Sequence, residues 1–373
     1  MSSTMRTINL DYASHTPVDE RVLDYFCEVE RHFAGNVMSA HTAGKNARAK
    51  MDEITASIAQ LIDVHPEEII FTSGASEANN LAIKGILKAY SHVGKHVLST
   101  CLEHPSVSGT LSALPGAEIE LLKILPNGLI DLAHLKTVIR PDTVLLCVSA
   151  VDSELGAIQP LAEISEILKK HPHCHLHVDA AQAVGKIRTQ LNGASTFCFS
   201  AHKFYGLCGI GVLVKRTGVV LEPLIHGGAS TTIYRSGTPT LALAASCYYA
   251  LKLALEEQET RLKYVQLLRQ SVLDEIKYLP NIRINTTPQN SSPYILNLSV
   301  DGIKGIDLQA ILDSHGIFVS VKSACSTDRA PSRPVLAVSG DKKNALNSWR
   351  ISFSHLTTVA EIETFLQVLK QIK

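Results

Sequence analysis

Short runs of apolar and β-branched residues alternate, over the first two thirds of the chain, with segments whose apolar residues recur every three or four positions. The first pattern predicts strands and the second predicts helices. Because strands that alternate with helices form parallel sheets covered by helices, this order predicts an α/β domain with a mostly parallel sheet. The predicted strands are 96–100, 120–125, 143–150, 175–181, 195–201 and 209–216, and the predicted helices lie near 51–62, 76–90, 131–139 and 160–170.

The pattern changes after a long amphipathic stretch around 240–279. Thr358 and Glu361 stand at the spacing at which the two side chains cap each other's backbone amides, so the last helix is predicted to begin there. We therefore expect a large domain over 15–255 and a smaller α+β domain built from 1–14 and 256–373. The other elements predicted after this stretch are a strand over 293–300, a helix over 305–315, a strand over 317–321 and a strand over 349–353.

Composition and charge narrow the class of protein. Of the 373 residues, 45% are hydrophobic, and 35 Lys and Arg residues balance 35 Asp and Glu residues. Because the basic residues are dispersed, neither a nucleic acid nor an anionic membrane surface is an expected partner. The N-terminal residues contain no secretion signal, no apolar run approaches the length of a membrane span, and the eight cysteines include no Cys-x-x-Cys pair. We therefore expect an enzyme of the cytoplasm with reduced thiols.

A turn of small residues, 73–76, leads from an apolar strand into a helix. The first turn of a helix has unpaired amides and the positive end of the helix dipole, which together suit a phosphate. The same residues also form ordinary helix caps. This segment alone therefore leaves both interpretations open.

Two residues of opposite charge stand at the ends of predicted strands. Asp179 follows apolar residues, where a carboxylate needs a donor or a cation, and a protonated pyridine nitrogen is such a cation. Lys203 lies between apolar residues, a setting that favours a neutral amine and so a Schiff base. A salt-bridged aspartate and a solvated lysine are the alternative interpretations. The spacing of the pair, with Ser200 and His202 beside the lysine as phosphate donors, favours a pyridoxal phosphate site.

The segment 171–177 contains four histidines and resembles a metal-binding segment. Alternation would place His173, His175 and His177 on one face of a strand. A straight strand offers collinear side chains and no closed tetrahedron, and the sequence shows no second pair of ligands. We therefore predict no metal site here.

Two residues near the C-terminus have side chains suited to an amino acid substrate. The planar guanidinium of Arg350, in a predicted strand, suits bidentate capture of a carboxylate, although a surface salt bridge is the alternative. Cys325 begins a polar, proline-containing segment whose composition predicts an exposed loop. Lys322, Arg329 and Arg333 are near it in sequence and favour the thiolate form, which is the nucleophile.

Further motifs extend over nearly the whole chain, and together with those above they resemble the cysteine desulfurases, pyridoxal phosphate enzymes of the class V aminotransferase family. The resemblance implies the fold type I architecture, in which a large domain with a mostly parallel sheet carries a smaller α+β domain. The motifs are Leu10-Asp11-Tyr12-Ala13, Gly35-Asn36, Phe71-Thr72-Ser73-Gly74-Ala75, Glu103-His104, Glu154-Leu155-Gly156, His177-Val178-Asp179-Ala180 with Gln182, Ser200-Ala201-His202-Lys203, His226-Gly227-Gly228, Arg235-Ser236-Gly237-Thr238, Ser323-Ala324-Cys325 and Arg350-Ile351-Ser352.

The resemblance also implies a role for each site residue. Lys203 carries the cofactor and shuttles a proton, Asp179 keeps the pyridine nitrogen protonated, and His104 stacks on the ring and exchanges protons. Thr238 reaches the phosphate of the neighbouring subunit, which implies a homodimer. The remaining implied contacts are Ala75, Ser76, Ser200 and His202 with the phosphate, Gln182 and Ser153 with the phenolic oxygen, and Asn36 and Arg350 with the substrate.

The implied reaction converts L-cysteine to L-alanine and leaves a persulfide on Cys325, which passes the sulfur to an acceptor protein. The acceptor would serve iron–sulfur cluster assembly or the thiolation of tRNA or a cofactor, and the Ser-Ala-Cys setting resembles the branch with a long catalytic loop. Two alternatives stay open. One is a related lyase or aminotransferase, acting for example on selenocysteine, and the other is a diverged, weakly active scaffold protein.

Several residues depart from the usual family pattern. Asp152 and Ser153 replace two asparagines, and Ser153 is thereby shorter than the side chain that normally assists Gln182. His15 replaces a threonine. The segments 206–209 and 229–234 also differ, and we expect these changes to affect substrate preference, rate and partner choice more than the fold.

Overall fold

The computed structural model describes residues 7–228, 230–322 and 330–372. Strands and helices alternate along the first two thirds of this range, as the pattern predicts. The strands are β1 (Ile8–Asn9), β2 (Ile69–Thr72), β3 (His96–Ser99), β4 (Glu118–Leu121), β5 (Thr143–Ser149), β6 (His175–Asp179), β7 (Thr196–Ser200), β8 (Gly211–Lys215), β9 (Ile282–Ile284), β10 (Ile295–Val300), β11 (Ile317–Phe318) and β12 (Ser348–Ser352).

Helices cover the sheets and connect their strands. Three short 3-10 turns, at Pro66–Glu68, Ala201–Lys203 and Pro288–Asn290, complete the regular structure of the described residues. The α-helices are α1 (Glu20–His32), α2 (Thr42–Leu61), α3 (Ala75–Ala89), α4 (Pro105–Ser112), α5 (Leu132–Val138), α6 (Leu161–Leu168), α7 (Leu241–Glu256), α8 (Gln258–Ile276), α9 (Gly305–Ser314), α10 (Arg333–Ser339), α11 (Lys342–Asn347) and α12 (Val359–Gln371).

The largest sheet of the described residues contains seven strands in the order β2-β8-β7-β6-β5-β3-β4. Neighbouring strands from β7 to β4 are parallel, whereas β8 is antiparallel to both β7 and β2. The carboxyl ends of β3, β5, β6 and β7 consequently lie at one edge, which is where ligands bind in such sheets. This architecture confirms the predicted α/β fold with a mostly parallel sheet.

Apolar side chains of the central strands point alternately to two separate cores. In β5, Leu145 and Cys147 join the cluster on the side of α3, while Leu146 and Val148 join the larger cluster on the other side. Every residue of β5 is buried. A strand buried on both faces has no need of polar alternation, which explains its continuous apolar sequence.

The C-terminal part of the chain forms a second, smaller set of sheets. Strand β10 pairs antiparallel with β12 and β9, and β1 from the N-terminus pairs parallel with β11. Helix α12 begins with the predicted capping box, since Glu361 accepts from the Thr358 amide at 2.7 Å and the Glu361 amide donates back at 3.3 Å. The division into domains at 15–255 stays a prediction, although the pairing of β1 with β11 agrees with it.

Several element boundaries differ from the predictions, most of all that of α2, which begins at Thr42 where the pattern predicted a start at 51. The strand predicted at 120–125 is shifted to Glu118–Leu121, and the stretch 240–279 is two helices that meet at Glu257. The strand predicted at 317–321 is only two residues long, and β6 begins at His175, so His173 precedes the strand. Helices α1, α4, α10 and α11 were not predicted. Helices α4, α10 and α11 have only eight, seven and six residues, so their apolar period is short. Helix α1 has 13 residues, and its apolar residues at 22, 25, 26 and 29 do have helical spacing, so its pattern was available in the sequence. No helix in the described ranges combines the length and apolar character that crossing a membrane requires.

Candidate active site

A cavity of about 330 Å³ opens at the carboxyl edge of the central sheet. Its walls come from the loop before α3, from the residues that follow β3, β5, β6 and β7, and from β12 of the smaller part. Parallel strands end at the same edge, so residues far apart in sequence meet there. The predicted site residues that line the cavity are Ala75, Ser76, His104, Ser153, Asp179, Gln182, Ser200, His202, Lys203 and Arg350.

Lys203 lies in the 3-10 turn that follows β7, between the buried residues Ala201 and Phe204. Its Nζ donates to the carbonyl oxygens of Ala13 at 2.9 Å and Ser14 at 2.7 Å. These two acceptors come from the N-terminal segment, which therefore holds the amine at the cavity wall. An amine in this position can react with a carbonyl compound in the cavity.

Asp179 is the last residue of β6 and is 6% exposed. Its Oδ1 accepts from the Ala181 amide at 3.0 Å, and its Oδ2 accepts from Asn79 Nδ2 at 2.8 Å. A carboxylate has about four acceptor positions, and these two donors occupy only half of them. The remaining capacity suits a cationic N–H donor in the cavity.

His104 begins α4, and its ring borders the cavity. Its Nδ1 is 2.8 Å from Ser106 Oγ and accepts from the Ser106 amide at 3.1 Å. Burial lowers the pKa of His104, and the nearby Lys203 charge acts in the same direction, while Asp179 opposes them. A neutral imidazole at neutral pH can both accept and donate a proton.

A turn of small residues, 73–76, which we call the cradle, lies at the start of α3. Gly74 precedes this helix with φ of 153°, and the helix has no side-chain cap. A Cβ on Gly211 would lie 2.7 Å from the Gly74 Cα, so β8 and the cradle loop need glycine to approach this closely. The Ala75 amide donates to Ser200 Oγ at 2.6 Å. Amides, a hydroxyl and the helix dipole therefore face one end of the cavity.

His202 contributes an imidazole to the same end of the cavity. Burial lowers its pKa to about 4, and Lys203, His15 and Lys186 add to the effect. The ring stacks on His15 with centroids 5.6 Å apart. His202 is therefore neutral at neutral pH and has one N–H to donate.

A carboxylate also borders the cradle. Glu77 accepts from the Ser73 amide at 2.8 Å and forms an ion pair with Arg235 at 2.9 Å. Arg235 and Ser73 hold the pKa of Glu77 below its usual range, although burial opposes them. Its charge is thus paired with a cation instead of facing a bound anion.

Gln182 is held from both sides by its neighbours. Its Nε2 donates to the Ala13 carbonyl at 2.8 Å, and its Oε1 accepts from Lys186 Nζ at 2.8 Å. Burial lowers the pKa of Lys186 to about 7, helped by the charges of Lys203 and Arg350. The sequence analysis did not identify Lys186, because a lysine after an apolar turn carries no signal of burial.

Arg350 is buried at 1% exposure, which excludes the surface salt bridge considered from the sequence. Its Nη2 donates to Asp11 at 2.6 Å and to Ser14 Oγ at 2.8 Å, and its Nη1 donates to the Ser153 carbonyl at 2.7 Å. Its Nε is buried and has no hydrogen-bond partner among the described residues. Arg350 lines the cavity, and its Nη1 uses only one of its two hydrogens among the described residues, so the guanidinium keeps donor capacity for an anion there.

Three predicted site residues are not brought to the cavity by the described structure. Asn36 is exposed, and its Oδ1 accepts from the Met38 amide at 2.9 Å. Thr238 is also exposed, as a contact to a neighbouring subunit would require. Cys325 lies outside the described residues. The roles assigned to these three residues stay predictions.

The histidine tract takes part in packing and hydrogen bonding. His177 is buried between Thr196 and Asn79, both at 2.8 Å, and the ring of His175 lies 4.2 Å from that of Tyr90. Within residues 7–228, 230–322 and 330–372, no group of three or more potential metal ligands occurs.

Comparison with known proteins agrees with the geometry. The profile of the family described as "Aminotransferase class-V" matches residues 8–365. The chain is 36% identical to "Cysteine desulfurase IscS" of Neisseria meningitidis serogroup C over 98% of this chain and 92% of that one. It is 34% identical to "Cysteine desulfurase IscS" of Dictyoglomus turgidum over 98% of this chain and 94% of that one.

Solved structures show the same likeness. One called "NIFS-LIKE PROTEIN" superposes with a TM-score of 0.92 and 31% identity, over 98% of this chain and 99% of that one. Another, "SspA in complex with cysteine", has a TM-score of 0.81 and 27% identity, over 94% of this chain and 100% of that one.

Proposed function

We propose, from the premise that this chain belongs to the class V aminotransferase family and to the cysteine desulfurases within it, that it converts L-cysteine to L-alanine. The thiol of Cys325 would take the sulfur, so that cysteine and one thiol give alanine and one persulfide, with no external oxidant. The observation that carries this proposal is the meeting of Lys203, Asp179, His104 and Arg350 around one cavity.

The residues present fit pyridoxal phosphate. The amides before α3, with Ser200 and His202, suit its phosphate, and Asp179 suits its protonated ring nitrogen. Lys203 would hold the cofactor through its Nζ. When bound, the cofactor supplies an electron sink that weakens bonds at the α-carbon of an amino acid.

The chain's own residues provide the proton transfers. Lys203 Nζ, released by the substrate's amine, would move a proton while the Ala13 and Ser14 carbonyls keep it oriented. His104, which burial keeps neutral, would give or take a proton at its Nε2. The two groups differ in position around the cavity, so they can act on different atoms of the substrate.

Arg350 would bind the substrate carboxylate. Its guanidinium lines the cavity, is oriented by Asp11, Ser14 and the Ser153 carbonyl, and uses only one of the two Nη1 hydrogens among the described residues. A charge-assisted bond in such a setting is strong and directional. The solved relative named SspA was obtained in complex with cysteine, which supports L-cysteine as the substrate of this chain.

Cys325 would receive the sulfur. The described residues on both sides of its segment, Lys322 and Ala330, line a second cavity of about 250 Å³ together with His104 and Ser153. This cavity shares His104 and Ser153 with the first. The positions of these flanking residues support a thiol that reaches the bound substrate.

The assembly and the acceptor are further parts of the proposal. The exposed Thr238 would reach the phosphate site of a second copy, giving a homodimer with shared sites. The acceptor would be a protein of iron–sulfur cluster assembly, or of tRNA or cofactor thiolation, in the cytoplasm. The similarity to relatives named "Cysteine desulfurase IscS" supports an acceptor of this kind.

The test is a single-turnover reaction of purified protein with L-cysteine in the presence of pyridoxal phosphate. We expect equal amounts of alanine and of extra sulfur on the peptide that contains Cys325, removable by a reductant. Cys325→Ser should still bind cysteine but lose alanine formation, while Cys208→Ser, which changes an exposed cysteine elsewhere in the chain, should not.

Two outcomes would replace the proposal. Full turnover by Cys325→Ser without a sulfur adduct would favour the related lyase or aminotransferase, and selenocysteine would then be the next substrate to assay. A colourless protein that takes up no pyridoxal phosphate would favour the scaffold protein.

A further inference from the structure

We propose that Asn79 is a positioning residue that joins Asp179 to His104 through one side-chain amide. The inference rests on the proposed function, in which these two residues serve the cofactor and the proton transfers. Asn79 lies in the first turns of α3 and is 0% exposed. Its Nδ2 is 2.8 Å from Asp179 Oδ2 and 2.8 Å from Ser106 Oγ, which in turn is 2.8 Å from His104 Nδ1.

The orientation of the Asn79 amide follows from the chemistry of its partners. An ionised carboxylate only accepts hydrogen bonds, so Nδ2 must be the atom that faces Asp179. On the opposite side, Oδ1 lies 2.8 Å from His177 Nε2 and 2.9 Å from Cys198 Sγ. Burial raises the pKa of the Cys198 thiol, so it keeps its S–H and donates.

His177 completes this assignment. Burial lowers its pKa, so the ring is neutral at neutral pH and has one N–H. That proton lies on Nε2 and points to Asn79, because Nδ1 is 2.8 Å from Thr196 Oγ1, which can donate to it. The Asn79 amide therefore uses both its hydrogens and both its acceptor positions, and a second orientation would place its oxygen against the Asp179 carboxylate, which has no hydrogen to donate.

The fixed amide sets the direction of the next hydrogen bonds. Because Asn79 donates to Ser106 Oγ, the Ser106 hydroxyl hydrogen is left to donate to His104 Nδ1. The Ser106 amide donates to the same nitrogen at 3.1 Å. Neutral His104 must then carry its proton on Nε2.

Asn79 fixes Asp179 in the same way. Its bond to Oδ2 and the Ala181 amide's bond to Oδ1 hold the carboxylate by both oxygens, with the remaining lone pairs available to the cavity. The next residue, Asn80, offers a contrast, since within the described part of the chain its side chain hydrogen-bonds only the Ser76 carbonyl of its own helix, at 3.0 Å. The difference between the two neighbours supplies a matched control.

The direct test is nitrogen-15 NMR of the histidine rings of the full-length chain, recorded before and after addition of pyridoxal phosphate. We expect both His104 and His177 to carry their proton on Nε2. The spectrum recorded before the addition needs neither cofactor nor substrate, so it can succeed even if the protein does not desulfurate cysteine. A proton on Nδ1 of His104 or of His177 would overturn the inference. The His177 result is the more specific one, because the Ser106 amide by itself already favours the Nε2 proton of His104.

Variants test the contact of Asn79 with Asp179 and its contact with Ser106 separately. Asn79→Ala should weaken pyridoxal phosphate binding by about tenfold to a hundredfold, the range for a lost hydrogen bond to a charged group, and should also lower kcat. Ser106→Ala should lower kcat with nearly unchanged cofactor affinity, because the hydrogen bond between Asn79 and Asp179 stays intact. Asn80→Ala should change neither quantity.

Two results would contradict this role of Asn79. One is wild-type cofactor affinity and kcat in Asn79→Ala. The other, which remains measurable if Asn79→Ala does not fold, is a Ser106→Ala variant whose His104 signals and kcat equal those of the wild type.

Discussion

Lys186 is a buried lysine whose charge should make the stability of the chain depend on pH. It is 6% exposed, and burial, with the charges of Lys203 and Arg350 nearby, lowers its pKa to about 7. An unfolded lysine titrates near pH 10.4, at about its reference value. Between these two pH values the unfolded chain holds a proton that the folded chain has released.

The sign and size of the effect follow from proton linkage. Stability rises with pH wherever the unfolded state binds more protons, by about 1.4 kcal/mol per pH unit for one proton. From pH 7 to pH 10 the Lys186 contribution to the free energy of unfolding should therefore rise by something on the order of 4 kcal/mol. Below pH 7 the ammonium is charged in both states, and its burial cost is at its largest.

The assay compares urea unfolding of the wild type and Lys186→Met at pH 7, 8, 9 and 10. The thioether variant has a similar length and no charge, so the difference in unfolding free energy between the two proteins should change steadily over this range, in favour of the wild type. Glu103 and Asp152, whose pKa values burial raises to about 7 and about 8, oppose this trend only up to about those pH values and are present in both proteins. They therefore cancel in the difference.

The exposed Lys342 provides the control, since Lys342→Met should give a difference that does not vary with pH. A constant difference for Lys186→Met as well would refute the reasoning, because it would mean that Lys186 keeps its proton in the folded chain at pH 10. In that case Gln182 Oε1 would be paired with an ammonium at every working pH.

Three further predictions concern the cavity. Lys203→Ala should abolish the visible absorption of the cofactor-loaded protein, and an unchanged spectrum would show that another amine holds the cofactor. Arg350→Lys should raise KM for L-cysteine by about tenfold or more with a smaller effect on kcat, because a single ammonium cannot reproduce the planar fork; an unchanged KM in steady-state assays would assign the carboxylate to another residue. Thr238→Ala should weaken cofactor binding measured by absorption titration without lowering the free energy of unfolding, and a fully active monomer by light scattering would exclude the shared site.

The sequence predicted the part of the site that depends on strand ends. Asp179 and Ser200 are the last residues of β6 and β7, and these strands are parallel neighbours. Alternating strands and helices predict such a sheet, so the meeting of the two residues follows from the pattern and one topological rule. The resemblance to a known family added Gln182 and His104, which the cavity also contains.

Contacts that fix these residues could not be predicted in the same way. Asn79 and Asp179 are 100 positions apart, and Ser106 is 27 positions from Asn79. The periodicity of the apolar residues does not specify which polar side chain of a buried helix face contacts which loop. Many different side-chain pairings are compatible with the same hydrophobic pattern. Lys186 was missed for a related reason, since its burial depends on how the segment after β6 packs against the N-terminal residues.

The departures from the family pattern can now be weighed by what each residue contacts. Ser153 lines the cavity, but its contact with Arg350 is made by its carbonyl, which any residue provides. Asp152 accepts from the Glu154 and Leu155 amides through Oδ2, as an asparagine oxygen would, while its Oδ1 is buried without a hydrogen-bond partner among the described residues. The substitution therefore keeps the turn that presents residue 153. Because burial raises the pKa of Asp152 to about 8, its carboxyl carries a proton at neutral pH, and this O–H stands where asparagine has its NH2 group.

His15 changes the cavity in a different way, because it adds a ring instead of removing a contact. It stacks on His202 at the end of the cavity that suits a phosphate, and its charge, when present, would oppose protonation of His202. The residues that reach the proposed reacting atoms, namely Lys203, His104 and Asp179, lie in segments that match the family. The departures consequently bear on how the cofactor and the substrate are held, and the binding measurements proposed for Thr238 and Arg350 are more sensitive to them than turnover alone.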